Sequence, residues 1–176
     1  MSSGDDSDPV TWSPHLTEGN ARQARKRVAA KVVYRDERER VLLVDPTYKP
    51  HWDLPGGMAE ANEPPLQAAR REVREELGLD MPDGGLLTID WVSPHGPWDD
   101  TLVFMFDGGV LSPTQIDRLR VLDEELAEFR LCTLEEASQL LRADVWRRLQ
   151  SAVRALRTGR APYLEDGHPV SHATEG

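Results

Sequence analysis

This sequence has only one cysteine, no long apolar run and no excess of positive charge. The single cysteine, Cys132, has no second cysteine with which to form an internal disulfide. No uninterrupted apolar stretch reaches the roughly 18 residues that a membrane-spanning helix needs, so no membrane span is expected. Residues 1–10 are polar and acidic, unlike a secretory signal. Together these absences favour a cytoplasmic protein.

The charge balance narrows the range of partners. The formal net charge is −10, with 21 basic and 31 acidic side chains. Such an excess of negative charge argues against a protein that coats a nucleic-acid polymer, because the phosphate backbone attracts basic surfaces. It leaves small phosphate compounds open, since a metal ion held by carboxylates reverses the local charge. The basic stretches 22–27 and 142–160 are interpreted as solvated faces rather than binding patches.

The length of 176 residues fits one domain flanked by tails. Residues 1–24 are rich in Ser, Asp, Pro and Gly without periodicity, which predicts a flexible N-terminal arm. Residues 158–176 contain Gly and Pro and are expected to form a flexible C-terminal tail. The folded domain is therefore predicted to span residues 25–157.

The order of apolar patterns predicts an α/β fold, in which a mixed sheet has helices on both faces. Strands are expected at 27–34, 41–44, 86–93, 101–106 and 128–132. Helices are expected at 66–77, 113–119, 133–141 and 144–156. Asn62 or Glu63 is expected to cap the first of these helices, and Gly78 to end it.

The helix at 66–77 carries two distinct faces. Glu72, Glu75 and Glu76 are spaced i, i+3, i+4, so their carboxylates lie on one side. A separate apolar stripe can be buried; it comprises Leu66, Ala69, Val73 and Leu77. Two carboxylates about 6 Å apart repel by about 3 kcal/mol at an effective dielectric near 20. A hard divalent cation relieves that repulsion, because Mg²⁺ and Mn²⁺ prefer oxygen ligands.

These glutamates belong to a longer pattern. It begins with Gly57, continues after five spacers with Glu63, and ends after seven more with the run at 71–79. The spacing resembles the Nudix box, the signature of Nudix hydrolases, and all nine defining positions match. The resemblance implies a Nudix-type α/β/α sandwich that hydrolyses a diphosphate bond with Mg²⁺ or Mn²⁺ as cofactor.

The resemblance also implies roles for individual residues. The implied metal ligands are the Gly56 carbonyl oxygen and the carboxylates of Glu72, Glu75 and Glu76. The implied catalytic residues are Glu72, which is also a possible general base, Glu76, and Arg71, which would orient a glutamate. Because Nudix enzymes differ in where the base lies, Glu125 in the acidic loop 123–125 is a second candidate. The alternative is that this loop is a solvated turn.

Substrate-binding candidates flank the box. Trp52 and Trp98 could stack on a base or cover an apolar chain, or could simply pack in the core. His95 is a candidate contact with the substrate, although it could equally be a surface histidine. Pro94 lies fifteen positions after Leu79, a weak resemblance to the mark of ADP-ribose pyrophosphatases.

The expected partner is a small-molecule diphosphate: a nucleoside diphosphate derivative, either ADP-ribose-like or a nucleoside triphosphate. One alternative is a prenyl diphosphate or another non-nucleotide diphosphate. The other is a binding module with the Nudix fold and no catalytic activity. Neither a membrane nor a nucleic-acid polymer is expected as partner. A homodimer is a possibility that the resemblance implies.

Overall fold

The computed structural model describes residues 13–170. Its strands form a seven-stranded mixed sheet in the order β5-β2-β1-β4-β3-β6-β7. The strands are β1 (Arg27–Asp36), β2 (Val41–Pro46), β3 (Leu86–Val92), β4 (Thr101–Leu111), β5 (Leu126–Cys132), β6 (Tyr163–Glu165) and β7 (His168–Pro169). The helices are α1 (Pro14–Arg22), α2 (Pro65–Leu77), α3 (Pro113–Arg118), α4 (Leu134–Leu140) and α5 (Ala143–Thr158).

Strand β1 lies inside the sheet, between β2 and β4. It pairs in parallel with β4 and antiparallel with β2. Its residues alternate between two cores: Val32 and Tyr34 pack on the side of α2, and Val33 on the side of α5. All three are fully buried. A strand covered on both faces reads as a nearly continuous apolar run, which is why this strand was recognisable from the sequence.

Helices cover both faces of the sheet. The apolar stripe of α2, which includes Ala69, Val73 and Leu77, lies in one core. The apolar positions of α5, Leu149 and Ala152 among them, lie in the other. The predicted α/β architecture with a mixed sheet is therefore confirmed. Within residues 13–170, no helix combines the length and the apolar character needed to cross a membrane.

The start of α2 differs from the prediction, whereas its end agrees with it. Gly78 takes the left-handed conformation with φ of 67° and ends the helix. The N-cap is Pro64, which has no side chain able to cap, and neither Asn62 nor Glu63 takes that place. Asn62 instead sits in a turn with φ of 62°. The Glu63 carboxylate accepts hydrogen bonds from the Glu60 amide and from Arg71, so it is unavailable as a cap.

Strand β4 is longer than predicted because it continues through two glycines. Gly108 packs on Tyr34: a Cβ at this glycine would lie 2.6 Å from the tyrosine ring. The amide of Gly109 donates to Asp107 at a point where the β1–β4 register shifts. The glycines therefore mark a bulge rather than the end of the strand.

The predicted flexible C-terminal tail, residues 158–176, contains two strands, β6 and β7. Residues 171–176 of that tail lie outside the described residues. Asp166 and Gly167, with φ of 50° and 80°, form the tight turn between these strands. Leu164 is fully buried, and β6 pairs in parallel with β3. The alternation around an Asp-Gly pair was a hairpin signal in the sequence.

The predicted N-terminal arm also contains regular structure. Ser13 caps α1 by accepting a hydrogen bond from the Leu16 amide, and Pro14 occupies the first turn. No residue of α1 is buried. The rest of the predicted arm, residues 1–12, lies outside the described residues.

We predict that Leu164→Ala lowers the free energy of unfolding by about 2–4 kcal/mol, because it removes a fully buried side chain of β6 and leaves a cavity. Urea unfolding followed by circular dichroism measures this. Val170→Ala is the control, because Val170 is exposed just beyond β7. A loss no larger than that of the control would mean that the hairpin does not belong to the cooperative fold.

Candidate active site

A cleft with a volume of about 820 Å³ opens where β1, α2 and α5 approach one another. The loop between β2 and α2 forms one side of it, and the loop between β3 and β4 forms the other. Both acidic and basic side chains line the cleft. The acidic and basic lining residues are Arg27, Lys31, Lys49, His51, Asp53, Glu72, Glu76, His95, Asp123, Glu125, Arg142 and Arg148.

The paired glycines bring the β2–α2 loop against β1. The amides of Ala30 and Val32 donate to the carbonyl oxygens of Gly57 and Pro55, at 2.9 Å each. Gly56 has φ of 113°, and a Cβ at this position would lie 2.2 Å from the Ala30 carbonyl oxygen. Only glycine tolerates both the conformation and the contact.

The same glycines receive two carboxylates from α2. The Gly56 amide donates to Glu76 at 2.8 Å. Burial raises the pKa of Glu76 to about 7, even though Lys31 and the Gly56 amide oppose the shift. The Glu72 carboxylate packs on Gly57, where a Cβ would lie 2.5 Å from its carbon. The geometry thus fixes both carboxylates at the floor of the cleft.

Arg71 ties the acidic face of α2 to the loop before it. Its guanidinium donates to both oxygens of Glu63 at 2.9 Å, to Glu72 at 2.9 Å and to Glu75 at 3.1 Å. A further hydrogen bond reaches the Met58 carbonyl oxygen. Hydrogen bonds from Arg71 lower the pKa of Glu63 to about 2, and the same contacts raise the pKa of Arg71. A single cation therefore orients three glutamates.

Lys31 was not identified from the sequence, although a lysine inside an apolar strand was a signal. Its ammonium donates to the carbonyl oxygens of Gly56 at 2.5 Å and Leu54 at 3.2 Å. The Asp53 carboxylate lies 3.2 Å away. Burial alone would lower the pKa of Lys31, but the carboxylates of Asp53 and Glu76 outweigh it and raise that pKa. A fixed positive charge thus lies at the glycine loop.

The oxygens at the floor match the ligand preference of Mg²⁺ or Mn²⁺. Glu72, Glu76 and Gly56 all line the cleft there, the Gly56 carbonyl oxygen accepts a hydrogen bond from Lys31, and the missing Cβ of Gly57 leaves space for Glu72. Glu75 differs from the other predicted ligands: its side chain is 55% exposed and does not line the cleft. In residues 13–170, no three His, Cys, Asp or Glu side chains are grouped as a ready metal site. Of the predicted ligands, Glu72, Glu76 and Gly56 line the cleft, and a metal ion there would have these three residues as its candidate protein ligands.

The remaining predicted site residues all line the cleft. The backbone amide of Glu125 donates a hydrogen bond to the carboxylate of Asp123, two residues earlier in the same loop. Trp98 lies under the guanidinium of Arg27, 4.6 Å from the ring centroid, and is 54% exposed. The Nδ1 atom of His95 lies 3.0 Å from the Ser93 carbonyl oxygen.

Trp52 lies between the cleft and the core, and its role in substrate binding stays a prediction. It lines the cleft and packs against the core on the α5 side. The guanidinium of Arg130 stacks on its ring at 4.7 Å. Arg142 and Arg148 were missed because the basic stretch 142–160 was interpreted as a solvated face. Both line the cleft, and Arg148 is buried.

Comparison with known proteins agrees with this geometry. The sequence matches the family model for the NUDIX domain over residues 25–155. The chain belongs to the Nudix family. Among solved structures, the MutT protein from Methanosarcina mazei Go1 has the same fold, with a TM-score of 0.60 at 22% identity. The alignment covers 78% of this chain and 99% of that Nudix-fold protein.

Two curated relatives of this Nudix chain have different named activities. Diphosphoinositol polyphosphate phosphohydrolase 2 of Rattus norvegicus is 41% identical over 82 residues, 46% of this chain and 46% of its own. The CMP-5'-(N-acetyl-N-hydroxy-3-aminopropyl)phosphonate hydrolase of Streptomyces rubellomurinus is 31% identical over 134 residues, 65% of this chain and 55% of its own. The chain spans about half the length of these relatives.

We predict that the free energy of unfolding falls less steeply at low pH in Glu63→Gln than in the wild type. The folded-state pKa of Glu63 is about 2, below its ordinary 4.5, so its ion pair with Arg71 stabilises the fold above pH 4.5. That stabilisation disappears as pH falls towards 2. The difference in unfolding free energy between wild type and variant should therefore be largest above pH 5 and shrink below it.

Urea unfolding at a series of pH values between 7 and 3 measures this difference. Glu124→Gln, at an exposed acid of the 123–125 loop, serves as the matched control. Parallel acid profiles for wild type and Glu63→Gln would contradict the role given to the Glu63–Arg71 pair.

Proposed function

We propose that this protein is a metal-dependent hydrolase that cleaves the diphosphate bond of a small molecule. The observation that carries the proposal is the position of Glu72, Glu76 and Gly56 at the floor of one cleft. Membership of the Nudix family supports the reaction class, because the curated relatives are named as hydrolases.

The metal would be Mg²⁺ or Mn²⁺, held by Glu72, Glu76 and the Gly56 carbonyl oxygen. When bound, it would neutralise charge on the phosphoryl oxygens and lower the pKa of a coordinated water. The protein supplies the fixed ligands: Arg71 holds Glu72, and the Gly56 amide holds Glu76. Pre-set ligands avoid the cost of ordering flexible carboxylates during the reaction.

A proton must leave the attacking water. Glu72 and Glu125 both line the cleft and are the candidates for the group that accepts it. Glu72 is held by Arg71 beside the other predicted ligands, whereas Glu125 reaches the cleft from the loop before β5. A base at Glu72 and a base at Glu125 predict different losses of kcat when each residue is replaced, so the kinetics of variants can separate them.

The substrate would span the cleft with its diphosphate at the floor. On the side of the β3–β4 loop, Trp98 offers an exposed ring backed by Arg27, a surface on which a nucleobase can stack. A nucleoside diphosphate derivative fits that side. The relatives act, by their names, on a diphosphoinositol polyphosphate and on a CMP-phosphonate, so both classes belong among the test substrates.

We predict that Glu72→Gln and Glu76→Gln each lower kcat at saturating Mg²⁺ by at least about 100-fold, because each removes a charged ligand. Release of phosphate or nucleotide from the best substrate measures the rate. Glu125→Gln should match that loss only if Glu125 is the base. Glu124→Gln, next to it in the same loop, is the control and should keep the wild-type rate. Near-normal rates for both Glu72→Gln and Glu76→Gln would reject the assignment.

We also predict that activity depends on added metal and appears only with certain members of a substrate panel. The panel comprises ADP-ribose, diadenosine tetraphosphate, nucleoside triphosphates, 8-oxo-dGTP, a CMP-phosphonate, a diphosphoinositol polyphosphate and a prenyl diphosphate. EDTA should abolish product release, and Mg²⁺ or Mn²⁺ should restore it. Turnover of the prenyl compound alone would favour a non-nucleotide hydrolase. Binding without turnover of any compound would favour a binding module over an enzyme.

A further inference from the structure

One side of the cleft carries three basic side chains. Lys49 from the β2–α2 loop and Arg142 and Arg148 from the α5 region all line it. We call these three residues the α5 wall. None of them belongs to the Nudix box, which ends at Leu79. Their position in the cleft is therefore not explained by the diphosphate chemistry at the floor.

Arg148 is the buried member of the α5 wall. Only 5% of the residue is exposed. Its Nε atom donates to the Asp90 carboxylate at 2.7 Å. Its Nη2 atom is buried and has no hydrogen-bond partner among residues 13–170; the Asp144 carboxylate lies 3.8 Å away, within ion-pair range but too far for a hydrogen bond. A buried charged donor without a partner is costly, so a guanidinium beside a cleft in this state indicates an anionic ligand.

The position of Arg148 is set by structure on its far side. Asp90 is fully buried, and its second oxygen accepts a hydrogen bond from the Gly167 amide at 3.0 Å. The turn that contains Gly167 is held in place by Arg147, which donates to the Asp166 carbonyl oxygen, and by Ser93, which donates to the Asp166 carboxylate. The β6–β7 hairpin thus buttresses the ion pair that aims Arg148.

The other cations of this region already have carboxylate partners. Lys49 and the neighbouring Lys31 share a single oxygen of Asp53, at 2.5 and 3.2 Å. Arg142 is paired with Asp144 in a two-pronged contact at 2.5 and 2.7 Å. With Arg148 paired to Asp90, the three cations of the α5 wall have three carboxylate partners, and Lys31 is also attracted by Glu76. The wall is therefore balanced in charge, and its unused binding capacity is the Nη2 atom of Arg148.

We propose that the α5 wall binds a phosphoryl group of the substrate beyond the two that flank the cleaved bond, with Arg148 as its main ligand. This inference rests on the proposed function, because it takes the diphosphate to lie at the carboxylate floor. Guanidinium groups match phosphate geometrically by donating two N–H groups to two oxygens. The substrate class is therefore a compound with three or more phosphoryl groups, either in a linear chain or around a ring.

The test compares two ligands that resist hydrolysis, imidodiphosphate and diimidotriphosphate, by isothermal titration with the full chain in Mg²⁺. Wild type should bind the three-phosphoryl ligand about tenfold more tightly or better, as expected for one charge-assisted hydrogen bond. Arg148→Gln should remove most of that preference. Arg154→Gln on the exposed side of the same helix changes the charge equally and should retain it.

Arg148→Gln leaves the Asp90 carboxylate buried without its charged partner, which destabilises the fold. Two further variants therefore test the proposal independently of that loss. The double variant Asp90→Asn/Arg148→Gln removes both charges, and Arg142→Gln changes a half-exposed member of the wall. Both should lower the preference for diimidotriphosphate. Circular dichroism melting shows which variants are folded, and only folded variants are compared.

A titration with myo-inositol hexakisphosphate separates ring phosphates from chain phosphates. Loss of its affinity in Arg148→Gln, with less effect on diimidotriphosphate, assigns the wall to a ring, and the reverse assigns it to a chain. Equal affinity of wild type for the two- and three-phosphoryl ligands, or equal losses in Arg148→Gln and Arg154→Gln, overturns the proposal. The proposed hydrolase function fails by a different result, the absence of metal-dependent turnover across the substrate panel.

Discussion

The close approach of Gly56 and Gly57 to β1 is the constraint on which the site depends. A Cβ at Gly56 would collide with the Ala30 carbonyl oxygen, and a Cβ at Gly57 with the Glu72 carboxylate. Side chains at these positions would push the loop away from the strand and from α2 together. Because the Gly56 amide also holds Glu76, the loop, strand β1 and the acidic helix are positioned by one contact. The floor of the cleft is therefore rigid through its backbone.

Charge balance at α2 follows from that contact. Crowded carboxylates at helical spacing repel by about 3 kcal/mol per pair at an effective dielectric near 20. Two cations offset this repulsion from different directions. Arg71, within the helix, hydrogen-bonds to Glu72 and Glu75, while Lys31 on β1 attracts the buried Glu76 across the glycine loop. Helix α2 can keep its glutamates close together because one cation from the same helix, Arg71, and one from a strand distant in sequence, Lys31, offset their charge.

The sequence predicted the features that depend on neighbours along the chain. The acidic face of α2, the glycine that ends it and the core strands all follow from local spacing, and the structure has them within a few residues. The position of Lys31 beside Gly56 and that of Arg148 beside Asp90 depend on contacts between residues 25 and 58 positions apart. No local pattern reports such pairing. The β6–β7 hairpin is different, since its Asp-Gly turn was visible in the sequence and was outweighed by the Gly and Pro content around it.

The two halves of the cleft come from different parts of the chain, and this separation bears on substrate choice. At the floor, Glu72 and Glu76 belong to the box and Gly56 directly precedes it, and the relatives of this chain have unlike named substrates. The α5 wall lies outside the box, and the hairpin that supports Arg148 lies beyond residue 155, where the family match ends. Chemistry that is common to a family must be supported by common residues, whereas discrimination between substrates requires contacts that differ. We therefore expect the wall and the β3–β4 loop to contribute to the choice of substrate, with the buried Asp90–Arg148 pair linking the wall to the hairpin.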